Sequence, residues 1–177
     1  MNVNEQCQVL CNGVKLSGEQ SKKLAKRVKD SYHVHLLVDN LPCATKFRLL
    51  ETNEEQYEHG YQLGFIKDQS QYYINNHIKF KLKYHTELNS ELYRVVGFEV
   101  ETESISRNNM ELLDDNKCKI VAKNKNIEQQ PLNLNGETSM YMTYEVVWER
   151  SEIPWASRWD SYLKMTEVQI HWLSIDN

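Results

Sequence analysis

The strictest constraint on this chain is a period-two alternation between Tyr72 and Tyr84. Ile74, Ile78, Phe80, Leu82 and Tyr84 fall on one parity, with Lys79, Lys81 and Lys83 on the other. Successive strand side chains point to opposite faces, so the pattern predicts a half-buried antiparallel strand. Leu92 to Ile105 predicts a second long strand, with Val96, Phe98 and Val100 on one face and Gly97 at a bulge. The segment Thr86 to Glu91 would close a hairpin between them. A third alternation, Met140, Met142, Tyr144, Val146 and Trp148, marks a strand from Ser139 to Glu149.

The other elements are shorter. Ser17-Gly-Glu-Gln20 has the form of a capping box, opening a helix that runs to about Asp30 with Leu24, Ala25 and Val28 as its apolar stripe. Residues 1–16 read as an irregular or short extended lead-in. Tyr32 to Val38 and Thr45 to Leu50 read as short strands, separated by turn chemistry at Asp39-Asn-Leu-Pro42. Glu51 to Glu58 reads as an acidic loop, and Gly60 and Gly64 mark a tight turn or bulge. Residues 106–137 are rich in Asn, Lys, Gln and Asp and lack periodicity, which predicts a long polar loop excursion with a brief extended piece at Cys118 to Ala122. Strands do not alternate with helices, so a parallel sheet is not expected. The expected fold is mainly β with some α: an antiparallel, jelly-roll-like β-sandwich with one N-terminal helix and a short C-terminal helix. Residues 1–177 read as a single domain.

Composition narrows the function classes. Hydrophobic residues at 40% and charged residues at 26% are ordinary for a globular chain. A net charge of −4 supplies no basic field for nucleic acid, and the local lysine clusters read as solvated faces. No apolar run approaches the ~18 residues of a membrane-spanning helix, and MNVNEQCQVLCNG lacks a secretory pattern. On hydropathy alone the chain reads as soluble and cytosolic.

Neither nucleophile nor cofactor motifs occur: there is no Gly-x-Ser-x-Gly, no P-loop and no dinucleotide fingerprint. The chain reads as non-enzymatic, with no cofactor. His33 and His35, two apart in a strand, are the metal candidates, but no His-x-x-x-His or His-Glu-x-x-His accompanies them and no metal site is expected. Cys7-x-x-x-Cys11 is neither a redox nor a zinc motif. In an oxidising compartment Cys118 would pair with Cys7 or Cys11, and a local Cys7–Cys11 bridge is the other option. Cys43 reads as a free buried thiol.

The densest candidate site is Trp155-Ala-Ser-Arg158-Trp159-Asp160. Trp155 and Trp159 are four apart and would share one side of a helix. Such a corner is either a carbohydrate or partner platform or a packing feature in which Arg158 satisfies buried carbonyls. A glycan- or metal-binding module is therefore the second functional reading.

The last third, YEVVWERSEIPWASRWDSYLKMTEVQIHWLSI, resembles the end of the lumenal domain of the nonaspanins, the transmembrane-nine superfamily. There an aromatic-rich strand, a Trp-Ala-Ser-Arg-Trp-Asp segment and an Ile-x-Trp-x-Ser-Ile run lead into the first membrane helix. HVHLLVDNLPCATK, YEHGYQLGFI, YYINNHIKFKLKYH and YRVVGFEV match further blocks in the same order. The likeness covers about residues 7 to 175 and is greatest to the branch holding member four and the phagocytosis-linked member. Cys43 departs from it, standing where a small aliphatic residue is usual.

The resemblance implies a signal peptide and a further lumenal segment, with another cysteine, upstream of Met1, and nine membrane helices downstream of Asn177. The chain is then a lumenal domain lacking both, which reverses the cytosolic expectation. Residues 150–177 become a pre-membrane corner with Trp172 near the lipid surface. The implied function is non-enzymatic: Golgi and endosomal sorting of membrane proteins, notably those with glycine-rich membrane helices, to the surface, with effects on adhesion and phagocytosis. The implied partners are membrane-protein cargo and the family's own transmembrane region, with membrane contact only through those helices.

Overall fold

The computed structural model describes residues 4–48, 53, 55–87, 92–122, 126–160 and 162–163. In chain order it forms β1 (Glu5–Leu16), α1 (Gly18–Lys29), β2 (His33–Val34), β3 (Leu37–Val38), β4 (Leu41–Pro42), β5 (Ala44–Arg48) and β6 (Glu55–His59). There follow β7 (Tyr61–Gln62), β8 (Gly64–Lys67), β9 (Gln71–Ile74), β10 (His77–Thr86), β11 (Tyr93–Glu103), β12 (Met110–Leu112), β13 (Cys118–Ile120) and β14 (Thr138–Arg150). The fold is mainly β with some α, and its sheets are predominantly antiparallel. Two compact units share β10, β11 and β14 along the chain.

The first unit comprises Met1–Val34, Gln62–Phe80 and Glu101–Val147. The capping box of α1 is formed: the Gln20 backbone N–H donates to Ser17 Oγ at 3.3 Å, and the Ser17 N–H donates to Gln20 Oε1 at 2.8 Å. Lys26, Arg27 and Lys29 in the last turn complement the negative end of the helix. Its inner face joins a core of Ala25, Ile74, Leu132 and Met140, with Val14, Leu16, Leu24, Leu63, Tyr72, Leu134 and Met142 packed around it. A second cluster joins Ile105, Met110 and Tyr141, with Ile120 against it.

Three sequence expectations for this unit need correction. The lead-in is a 12-residue strand, β1, paired antiparallel with β14. Register shifts at Glu5/Gln8, Val9/Cys11 and Cys11/Val14 break its period of two, so no alternation shows in the sequence. The long Tyr72–Tyr84 strand is two strands, β9 and β10, interrupted by buried Asn75 and Asn76. The polar stretch 106–137 holds a 3-10 turn at Arg107–Asn109 and the β12–β13 hairpin, and it sends Asn109, Met110, Cys118, Gln130 and Leu132 inside. Polar composition misled there because Asn109 is buried with its amide satisfied. Its Nδ2 donates to Val121 O at 2.8 Å and its Oδ1 accepts from the Glu128 N–H at 3.0 Å.

The second unit comprises His35–Tyr61, Lys81–Val100 and Trp148–Asn177. Asp39 and Asn40, both at positive φ (50° and 62°), close the β3–β4 hairpin, as turn residues tolerant of that backbone do. β5 runs parallel to β11 and antiparallel to β6. The parallel β5–β11 pair sits within a fold that is otherwise predominantly antiparallel, as expected. Residues 55–58 belong to β6 rather than to an acidic loop, because Lys46 and Arg48 on β5 meet Glu55 at 2.6 and 3.1 Å. Leu41, Cys43, Ala44, Val96, Phe98 and Val100 are buried here.

Candidate functional site

The Trp-rich corner lies in the second unit. Pro154 precedes a 3-10 turn at Trp155–Ser157, and Asp160, Tyr162 and Leu163 are helical. Trp155 and Trp159 do not stack on one side: each has its own partner. The Arg158 guanidinium lies 3.7 Å from the Trp155 ring centroid, and that of Arg94 lies at 5.3 Å. Trp159 packs at 5.5 Å on Tyr162. Arg158 Nη1 donates to Trp155 O at 3.0 Å, closing the turn on itself, while its buried Nε has no hydrogen-bond partner among the described residues. Trp155 and Trp159 both remain 38% exposed, and Asp160 is exposed. Trp172 lies outside the described residues.

Sequence reasoning missed the residue that pins this corner. Tyr162 is buried and its hydroxyl donates to Pro42 O at 2.7 Å, while its ring stacks 6.2 Å from His59. Burial, reinforced by Cys43, Glu99 and Tyr57, pushes its phenol up to about 12. Nearby Tyr57 donates to Glu99 Oε1 at 3.2 Å, and Glu99 is ion-paired with Lys83. Burial and then the Glu99 charge push the Tyr57 phenol up to about 12 as well. Cys43 is in no disulfide and is fully buried, and burial raises its thiol above the ordinary value.

The cysteines in the first unit resolve into one bridge. Cys7 and Cys118 are bonded, with Cα atoms 5.0 Å apart, and Cys11 is free and exposed. The Val9 N–H donates to Asn116 O at 2.7 Å, holding β1 beside the hairpin that carries Cys118. His33 sits in β2 with its Nδ1–H donating to Ser31 O at 2.8 Å. His35 lies exposed in the break between β2 and β3. Among the described residues no group of three metal-ligating side chains assembles.

A buried polar constellation is the other site that sequence reasoning missed. It starts at the kink between β9 and β10. Asn76 is fully buried, and its Nδ2 donates to Ile105 O and Tyr141 O, both at 2.9 Å. Its Oδ1 accepts from the Ile105 N–H at 2.8 Å. One side chain thus satisfies three buried backbone groups at the interrupted ladder. The adjacent His77, 3% exposed, shares a 2.8 Å hydrogen bond through Nδ1 with Thr143 Oγ1. Thr143 Oγ1 also lies 3.5 Å from Asn76 O, and the imidazole tautomer sets which of His77 and Thr143 donates. Nε2 faces Glu145 Oε1 at 3.6 Å, with Lys79 3.9 Å from the other carboxylate oxygen. Desolvation holds the imidazole below its ordinary value, opposed by the Glu145 and Glu103 charges. The only sequence signal was the pair Asn75-Asn76 inside an otherwise regular strand pattern.

These arrangements give hydrogen-bonded cores, a stapled strand and an aromatic corner in a β-rich fold. The Endomembrane protein 70 family model matches residues 1–177, and the chain belongs to that family. It is 42% identical over its whole length to Transmembrane 9 superfamily member 4 of Mus musculus, of which it covers 30%. It is 31% identical over its whole length to member 10 of Arabidopsis thaliana, covering 29% of that protein. Against member 3 of Saccharomyces cerevisiae it is 34% identical, over 97% of this chain and 24% of the relative. The chain thus spans about 30% of the length of the first of these relatives. No solved structure matches. The family is one of transmembrane proteins, while no helix among the described residues is long and apolar enough to cross a membrane.

Proposed function

We propose that this chain is the lumenal domain of a multispanning Golgi and endosomal membrane protein that sorts other membrane proteins to the cell surface, and that it performs no catalysis. The observation that carries the reading is the family match over residues 1–177, with 42% identity to a transmembrane-nine member over the whole chain. The Cys7–Cys118 bridge supports a lumenal setting, because disulfides persist in oxidising compartments. In this reading its partners are membrane-protein cargo and the family's own transmembrane region. Residues 150–177 are the corner that meets the membrane, and adhesion and phagocytosis change because their receptors reach the surface.

The test is disruption of the gene in its own cells, with surface abundance read for reporters bearing glycine-rich or leucine-only membrane helices. Selective loss of the glycine-rich reporter from the surface is expected, together with fractionation of the native protein with Golgi and endosomal membranes. Unchanged delivery of both reporters would overturn the sorting role.

A further inference from the structure

The first unit contains an open cleft of ≈ 440 Å³ lined by Phe65, Asn75, Thr102, Glu103, Ser104, Ile127 and Gln129. Asn75, beside Asn76 in the break between β9 and β10, is part of its lining. Asn75 is only 8% exposed. Its Nδ2 is committed to Gln62 O at 2.8 Å, and among the described residues no group donates to its Oδ1. That oxygen is solvent-accessible and open to accept from a ligand in the cleft.

The other polar groups are similarly unspent. Ser104, 9% exposed, accepts from the Gln130 N–H at 2.9 Å, which leaves its hydroxyl proton to donate. The Glu103 carboxylate ends β11 at the surface without an ion pair among the described residues. One wall is apolar. Phe65 is held by its cross-strand partner Tyr73, the rings stacked at 5.4 Å, and Ile127 is 46% exposed.

We propose that this cleft binds a saccharide, taking one or two pyranose rings. A pyranose has an apolar C–H face that suits Phe65 and Ile127. Its ring of vicinal hydroxyls both donates and accepts. Glu103 and Asn75 Oδ1 accept from those hydroxyls, the carboxylate in a charge-assisted bond, while Ser104, Thr102 and Gln129 donate. An anionic ligand is disfavoured by Glu103, and a purely apolar one would cover the lining's polar groups without replacing their water hydrogen bonds. The assignment stands on the cleft, not on the sorting reading, and it shifts glycan recognition away from Trp155, where the Arg158 guanidinium already lies over the ring.

The test is a chemical-shift titration of the oxidised 177-residue chain. The probes are methyl pyranosides, disaccharides, a protein-derived N-glycan and a glycolipid headgroup, with choline as a cationic control. Saturable shifts confined to Phe65, Asn75, Ser104 and Gln129 are expected with at least one sugar, and whichever glycan source binds tighter identifies the origin. Glu103→Gln and, separately, Gln129→Ala should weaken binding about tenfold, with the remaining spectrum unchanged. Both residues are solvent-accessible, so neither variant removes core packing. No saturable sugar shift, shifts that survive both substitutions, or a response to choline in place of sugars would each overturn the proposal. Sorting is not read in this titration, so its failure leaves the sorting reading standing.

Discussion

Asn76 and His77 fall in the middle of the chain's cleanest strand pattern, and periodicity alone gives no reason to bury them. The reason is a ladder break. Where β9 ends and β10 begins, Ile105 and Tyr141 have backbone groups without strand partners, and the Asn76 amide supplies them. Asn76→Ala leaves three buried groups unsatisfied, and a loss of roughly 3 kcal/mol or more is expected. A lower urea midpoint at unchanged slope would show it; a shift under ~1 kcal/mol would mean water replaces the side chain. His77 gives a pH signature with a definite sign. Burial depresses its folded value, so the unfolded state binds the proton more tightly. Its contribution to stability is complete above the ordinary histidine value of about 6.5 and is lost as pH falls through the lowered folded value. Glu145 lies 3.6 Å from the ring's Nε2; its charge and that of Glu103 partly offset burial, while the Lys79 charge adds to it. Urea midpoints of the wild type should therefore fall more between pH 7.5 and 5 than those of His77→Gln. Parallel profiles would refute the assignment.

At the scale of elements, legibility followed locality. The helix was readable because its capping box lies within four consecutive residues, Ser17 to Gln20, and needs no tertiary partner. Ser17→Ala should cost about 1 kcal/mol, seen as a fall of the thermal midpoint by a few degrees. β10, β11 and β14 were readable because a half-buried strand writes its two faces into alternate residues. β1 was not, since three register shifts scramble its parity, and β6 was hidden because Glu55 is neutralised across the strand pair by Lys46 and Arg48. Gly64 shows a tertiary demand in a single residue. A Cβ there would lie 2.1 Å from the Tyr73 carbonyl oxygen and 3.0 Å from Val28 Cγ2. The first of these is backbone of the paired strand and cannot rotate away. Gly64→Ala should destabilise by about 1–3 kcal/mol, the range for overpacking a close-packed site, as measured by urea denaturation.

For the whole molecule, physics and resemblance each supplied a different part of the reading. Alternation and capping defined a mainly β fold with one helix, but they could not foresee the parallel pairing of β5 with β11, which depends on how distant segments meet. Cysteine chemistry left three pairings open, because spacing says nothing about which residues a fold brings to within bonding range. The fold brings Cys7 to Cys118, 111 residues apart in sequence. A bridge closing so long a loop removes much of the freedom of the unfolded chain, worth up to about 4–5 kcal/mol on the chain-entropy account. It also ties β1, the sheet's terminal strand, to the β12–β13 hairpin, which belongs to no larger sheet. Cys118→Ser should therefore cost about 2–4 kcal/mol and release amide protection first at Val9, Leu113 and Val121. The first two amides donate to the β12–β13 turn, at Asn116 O and Lys117 O, and the third donates to Asn109 O. Cys11→Ser, which removes an exposed thiol with no bridge, should leave both stability and protection unchanged. If instead Cys11→Ser reproduced the loss, the bridge would be the alternative Cys11–Cys118 pairing, and β1 would be stapled near its bulges rather than at its beginning.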